Sequence, residues 1–186
     1  LWCKEKFSGD LRFVFRAKAE SDNLSIFYFN ANPTKNSGYD GIFDWIRPDA
    51  QMARYAGNAI LEMYSMGILR DAEECNFRYI GGGTAALYNS PNRKVDRAHQ
   101  KATLIRAYSS LFREKADTWF TFDVQTTGNR ITLKVDGKEI FSVEDTGKAE
   151  PGVFSRSPLA NGGFFGFRNF RPSAVCIDYI KIYRRP

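Results

Sequence analysis

The chain has little of what usually announces a chemistry. Its 186 residues include a single histidine and three cysteines. The cysteines, at positions 3, 75 and 176, form no Cys-x-x-Cys pair, which argues against a structural zinc site. An odd count leaves at least one free thiol. Cys3 and Cys176 fall on the first and last expected strands and read either as two buried thiols or as one bridge. No apolar run approaches 18 residues, so no segment reads as a membrane-crossing helix and no membrane partner is expected. The first residues read as strand rather than as a cleaved leader. The "GGG" at 81–83 lacks a following Lys-Ser/Thr, which excludes a phosphate-binding loop. No repeat, low-complexity tract or composition break divides the sequence, so one domain over 1–186 is expected.

Aromatic residues are abundant instead. They make up 15% of the chain, with 16 Phe and 9 Tyr, and they favour strands over helices. Net charge is +6, which suits an acidic partner or simply a soluble surface. No nucleic-acid motif accompanies that charge, and no nucleic-acid partner is expected. The excess concentrates in 93–117, where Arg93, Lys94, Arg97, Lys101, Arg106, Arg113 and Lys115 face only Asp96, Glu114 and Asp117.

Period-two alternation predicts strands over 11–18, 23–31, 59–67, 75–81, 118–126, 129–135, 138–145, 162–168 and 174–184. "DG" at 136–137 marks a two-residue hairpin turn, since both positions need positive φ. One short helix is expected over 48–57, with Pro48 in its first turn. The fold class is therefore an all-β antiparallel sandwich of jelly-roll type, with one helix and two long loops, 31–59 and 81–117. The loops flank the strands richest in polar residues, which points to one site there.

In 162–168, Phe165 and Phe167 turn inward and Gly166 and Arg168 outward; a glycine within a strand admits a close approach to the backbone. Strict alternation over 175–183 puts Asp178 on the face of Cys176, Ile180 and Ile182. A carboxylate there needs an arginine, backbone N–H groups or a calcium ion.

The stretches "WCKEKFSGDLRFVFRAKA", "NFRYIGGG" and "GGFFGFRNF", with "ITLKVDGKEIFSVED", resemble the concanavalin A-like lectin/glucanase superfamily. Within it they resemble most the YesU-like (DUF1961) and DUF6250 families. The resemblance implies two curved sheets whose concave face binds an oligo- or polysaccharide, outside the cytoplasm. It also implies a structural calcium ion held partly by Asp178, with help from 8–10.

Three activities follow as expectations. Retaining glucanases of the superfamily carry Glu-x-Asp-x-x-Glu, whose first two carboxylates share a strand face about 6–7 Å apart. Here the equivalent stretch offers Glu62, then Tyr64 and Met66, so one carboxylate remains for a hydrolase. A lyase acting on a uronate needs a cation or amide on the acid group and a proton carrier. Arg78 and Asn76 share one strand face for the first role; Tyr64 or His99 suits the second. A non-catalytic sugar-binding module needs only stacking aromatics and hydrogen-bonding neighbours, for which Trp45, Tyr64 and Tyr79 stand out. The site is expected around Asn30, Glu62, Tyr64, Asn76, Arg78 and Arg168, rimmed by Trp45 and His99.

Overall fold

A computed structural model describes residues 1–19, 25–33, 61–69, 74–80, 104–109, 117–145, 159–169 and 175–184. The helix expected over 48–57, together with Trp45 and His99, lies outside the described residues. Among the described residues ten strands form two five-stranded antiparallel sheets. The first sheet runs β10 (Val175–Arg184), β1 (Leu11–Ala19), β6 (Phe120–Thr127), β7 (Arg130–Val135), β8 (Lys138–Glu144). The second runs β5 (Leu104–Ser109), β4 (Glu74–Ile80), β3 (Leu61–Leu69), β2 (Ser25–Pro33), β9 (Phe164–Asn169). The expected antiparallel sandwich is the observed fold. Strand β5 falls inside the segment read as a loop over 81–117. Its short apolar alternation, Ile105 and Ala107 between Leu104 and Arg106, is masked by the surrounding basic run.

The facing sides of the two sheets are phenylalanine-rich. Phe13 and Phe15 of β1 meet Phe27 and Phe29 of β2, and Phe15 stacks on Phe122 at 5.1 Å between centroids. Phe165 and Phe167 of β9 enter the same cluster, with Arg168 on the opposite face, as the alternation predicts. Burying each such ring stabilises the fold by about 1.5–3 kcal/mol, the dominant force joining the sheets. The Asp136–Gly137 turn has φ of 50° and 80°, the paired positive values of a type I′ hairpin.

Two irregularities re-aim side chains. In β10 the pairing with β1 shifts between Arg16/Tyr179 and Ala17/Ile177, which leaves Asp178 as the extra residue of a bulge. Val175, Ile177, Ile180 and Ile182 therefore all pack on the core, and strict alternation misassigns the face after residue 177. In β2 the pairing with β3 jumps from Phe29–Tyr64 to Asn32–Glu62, around Asn30 at φ 53°.

The N-terminal segment adds to the second sheet beside β9, through bridges Trp2–Gly166 and Phe7–Gly163. Cys3 lies there, while Cys176 lies on β10 of the other sheet; the three cysteines are free thiols.

Candidate functional site

On β3 the side chains of Tyr64, Met66 and Ile68 belong to the core between the sheets. Their alternates, Met63, Ser65 and Gly67, therefore lie on the outer face of the second sheet. The register fixes their neighbours. Ser65 lies between Tyr28 of β2 and Arg78 of β4; Gly67 lies between Ile26 of β2 and Asn76 of β4. Side chains thus shrink along β3 from methionine to serine to glycine, with larger ones on both sides. Ser65 and Gly67 thus mark the floor of a trough in the sheet face, in which Tyr28, Met63 and Ser65 are themselves buried. Its flanking strands are about 9–10 Å apart, twice the spacing between neighbouring strands. One wall, Tyr28 and Ile26, is apolar. The other, Arg78 and Asn76, offers a guanidinium fork and an amide.

The apolar wall and the floor are each braced. Trp2 stacks on Tyr28 at 5.7 Å with an interplanar angle of 11°. It can do so because Gly166 is between them: a Cβ there would lie 2.7 Å from Trp2 Cε3 and 2.8 Å from Cδ2. The strand glycine expected to admit a close approach admits this indole. From the core side, the Tyr108 hydroxyl donates to the Gly67 carbonyl. Burial pushes the Tyr108 phenol well above its ordinary pKa, so it stays protonated and keeps donating through neutral pH.

The residues anticipated from the sequence divide between two faces. Asn76 and Arg78 line the trough, and Arg168 shares its face on β9, paired to Ile26. Asn30 sits at the β2 bulge beside Met63. Tyr64 faces the other way. It is 1% exposed, stacked against Phe29 and Phe77, and its hydroxyl donates to the Asp145 carboxylate at the end of β8. Tyr79 packs edge-on against Tyr64 in the same core. Glu62 pairs with Asn32 on the parity of Tyr64, half-buried near the start of β3. The structure thus brings Asn76, Arg78 and Arg168 to one face and turns Glu62 and Tyr64 from it. Trp2, Tyr28, Ser65 and Gly67 are the additions. The size gradient Met63–Ser65–Gly67 and the strand glycine 166 were their signals in the sequence.

The Tyr64–Asp145 bond ties the second sheet to the first. Tyr64→Phe removes the donor while keeping the ring, and is expected to cost about 1–2 kcal/mol, read as a lower thermal midpoint. An unchanged midpoint would show that the bond contributes nothing.

Asp178 is exposed, and Arg16 Nη1 lies 3.3 Å from its Oδ2, an arginine partner of the kind the sequence allows for it. Asp10 accepts from Gly128 N–H at 2.8 Å near the opposite end of β1. Among the described residues no cluster of three metal-ligating side chains occurs.

Residues 1–182 match the model of the 3-keto-α-glucoside-1,2-lyase-like domain. The chain belongs to this family. No curated protein matches it. Among solved structures, a galectin-like protein of unknown function from Bacillus subtilis superposes with a TM-score of 0.69 at 16% identity, covering 99% of this chain and 77% of that one. The carbohydrate-binding module CBM66 from Bacillus subtilis gives 0.54 at 10% identity, covering 96% and 77%. A human galectin-16 variant gives 0.53 at 8% identity, covering 100% and 95%. At such identities these likenesses establish the sandwich fold alone. Together with the family match they support the superfamily, and not the YesU-like or DUF6250 families in particular. The 3-keto-α-glucoside-1,2-lyase-like domain here is a sandwich whose second sheet carries, among the described residues, Tyr28, Ile26 and Arg168 on one side of Ser65 and Gly67 and Asn76 and Arg78 on the other.

Proposed function

We propose that this domain holds a glucoside in the trough along β3 and cleaves it by elimination across C1 and C2 when C3 is a ketone. The observation that carries the placement is Arg78 and Asn76 facing Tyr28 and Ile26 across the small floor of Ser65 and Gly67. A sugar ring has an apolar C–H face and an edge of hydroxyls, and the two walls match them. The family name supplies the reaction class.

The chemistry is that of a carbonyl-activated elimination. The C3 ketone acidifies the C2 hydrogen. A base takes that proton, and negative charge moves onto the C3 oxygen. The C2 electron pair then becomes the C1–C2 double bond as the C1–O bond breaks, and the departing alkoxide takes a proton. The trough's contribution is Arg78, whose guanidinium donates to the oxygen gaining charge, with Asn76 holding a neighbouring hydroxyl. Of the two proton carriers read from the sequence, Tyr64 is engaged with Asp145 in the core. His99, the sole histidine, takes the base role in this reading.

The second reading is a non-catalytic sugar-binding module, favoured by the structural likeness to CBM66. One experiment separates the two. The protein is incubated with methyl α-glucoside oxidised at C3, and ultraviolet absorbance of the resulting enone is followed beside calorimetric titration. Absorbance growth with release of methanol supports the lyase. Binding without absorbance leaves the module. Neither binding nor turnover contradicts both.

A further inference from the structure

Strand β10 is an edge unlike the other three. It has β1 on one side, and among the described residues no strand pairs with its other side. It is ten residues long, and none of them is buried. The edges β8 and β5 each bury an aromatic ring, Phe141 and Tyr108, and the N-terminal segment covers β9. On β10, Ile180 and Ile182 lie opposite Phe15 and Phe13 of β1, on the core side, yet remain partly exposed because the sheet stops there. Tyr179, Lys181 and Tyr183 alternate with them on the outer face, with Lys181 exposed and Tyr183 46% exposed. A bare edge lined with isoleucine and tyrosine is a template for another strand.

The strand that matches it best is its own copy. An antiparallel pair joins residues that point to the same side of the sheet, so a two-fold axis has to pass through a residue. The bulge at Asp178 confines the regular stretch to 179–184. An axis at Lys181 sets Tyr179 against Tyr183 of a second copy, and Ile180 against its Ile182, so ring meets ring and aliphatic meets aliphatic. An axis at Ile182 sets Ile180 against an arginine instead, and an axis at Ile180 runs into the bulge beyond Tyr179. The best-matched register also brings the two Lys181 side chains face to face, with Cβ atoms about 5 Å apart. The carboxylates nearest in register, Asp123 in the same row and Asp178 three residues back, are held by Arg12 and Arg16. We infer that the β10 edge fits a second copy of this chain, and that Lys181 bars it, so that the domain does not pair through this edge. The trough lies on the other sheet, and this assignment does not depend on it.

The test is sedimentation velocity over a range of concentrations. The samples are wild type, Lys181→Val, Lys181→Glu, and an equal mixture of wild type with Lys181→Glu. Both substitutions change an exposed side chain, so thermal midpoints stay within about 2 °C of wild type. Wild type and Lys181→Glu are expected to sediment as monomers, since each repels its own copy. Lys181→Val is expected to form dimers that grow no further, because a two-fold pairing closes on itself. The mixture is expected to associate about tenfold more tightly than either protein alone, since only there does lysine face glutamate. A Lys181→Val protein no more associated than wild type overturns the assignment. So does one that grows past dimers, or a mixture no tighter than its parts. Should Lys181→Val fold poorly, the mixture decides alone.

Discussion

Replacing Gly162 by alanine is expected to lower stability by roughly 3–5 kcal/mol, a fall of some 6–20 °C in thermal midpoint for a chain of this size. Two penalties combine. Gly162 has φ +61°, which costs an alanine on the order of 1 kcal/mol. The larger penalty is steric, because the new Cβ would lie 1.9 Å from Phe7 O and 2.5 Å from Ser8 Cα. Backbone cannot swing aside as a side-chain tip does. Phe7 O also accepts from Gly163 N–H at 2.8 Å, and Phe7 N–H donates back to Gly163 O at 3.0 Å. Alanine therefore has to separate the N-terminal segment from β9. That segment carries Trp2, which braces the apolar wall of the trough, so sugar affinity falls with stability. Gly128 is the control. It has φ +55° but nothing within 4 Å of an added Cβ, so Gly128→Ala isolates the backbone penalty at about 1 kcal/mol, and thermal melts of the pair give the steric part by difference. Equal midpoints for the two variants would contradict the close packing of 162 on Phe7.

The second large effect is on turnover. Arg78→Ala removes the guanidinium that the described residues of β4 place on the trough's polar wall. The enone-forming rate is expected to fall by about 10²–10³, the usual cost of deleting a group that stabilises developing charge on oxygen. Arg78→Lys keeps the charge but loses the planar fork, and is expected to recover only part of the rate. The same substitutions weaken binding of the unreacting methyl α-glucoside far less, because the interaction strengthens as charge builds on the C3 oxygen. A loss in affinity as large as the loss in rate would recast Arg78 as a binding residue alone.

The strands were readable because alternation, turn residues and aromatic content all pointed the same way. The Asp136–Gly137 turn and the inward Phe165 and Phe167 show this at single residues. What alternation does not reveal is which face is buried. Along β3, Glu62, Tyr64 and Met66 oppose Met63, Ser65 and Gly67, and both sets mix apolar with polar groups. Tyr64 turns inward because Phe29 and Phe77 flank it with aromatic rings and Asp145 meets its hydroxyl, contacts that join distant parts of the chain. On β4 the contrast is sharper, Phe77 and Tyr79 against Asn76 and Arg78, and the alternation shows that each pair shares a face without showing which face is buried. Bulges were invisible for a related reason. A single extra residue at Asp178 or Asn30 leaves composition untouched but reverses every face beyond it. The fit of Trp2 over Gly166 required knowing that the N-terminal segment lies beside β9, a pairing across more than 160 residues.

The sugar's proposed seat can be tested by filling it. Gly67 has no positive φ, and an added Cβ would meet its nearest neighbours, Asn76 N and O and Cys75 Cβ, at 3.6–3.7 Å, ordinary contact distances. Gly67→Leu places a branched side chain on the floor between Ile26 and Asn76, and Gly67→Ala serves as the control for the backbone change. Calorimetric titration of both with methyl α-glucoside, at matched thermal stability, is predicted to show near-native affinity for alanine and at least a tenfold loss for leucine. Undiminished affinity in a stably folded Gly67→Leu protein would place the sugar elsewhere on the molecule.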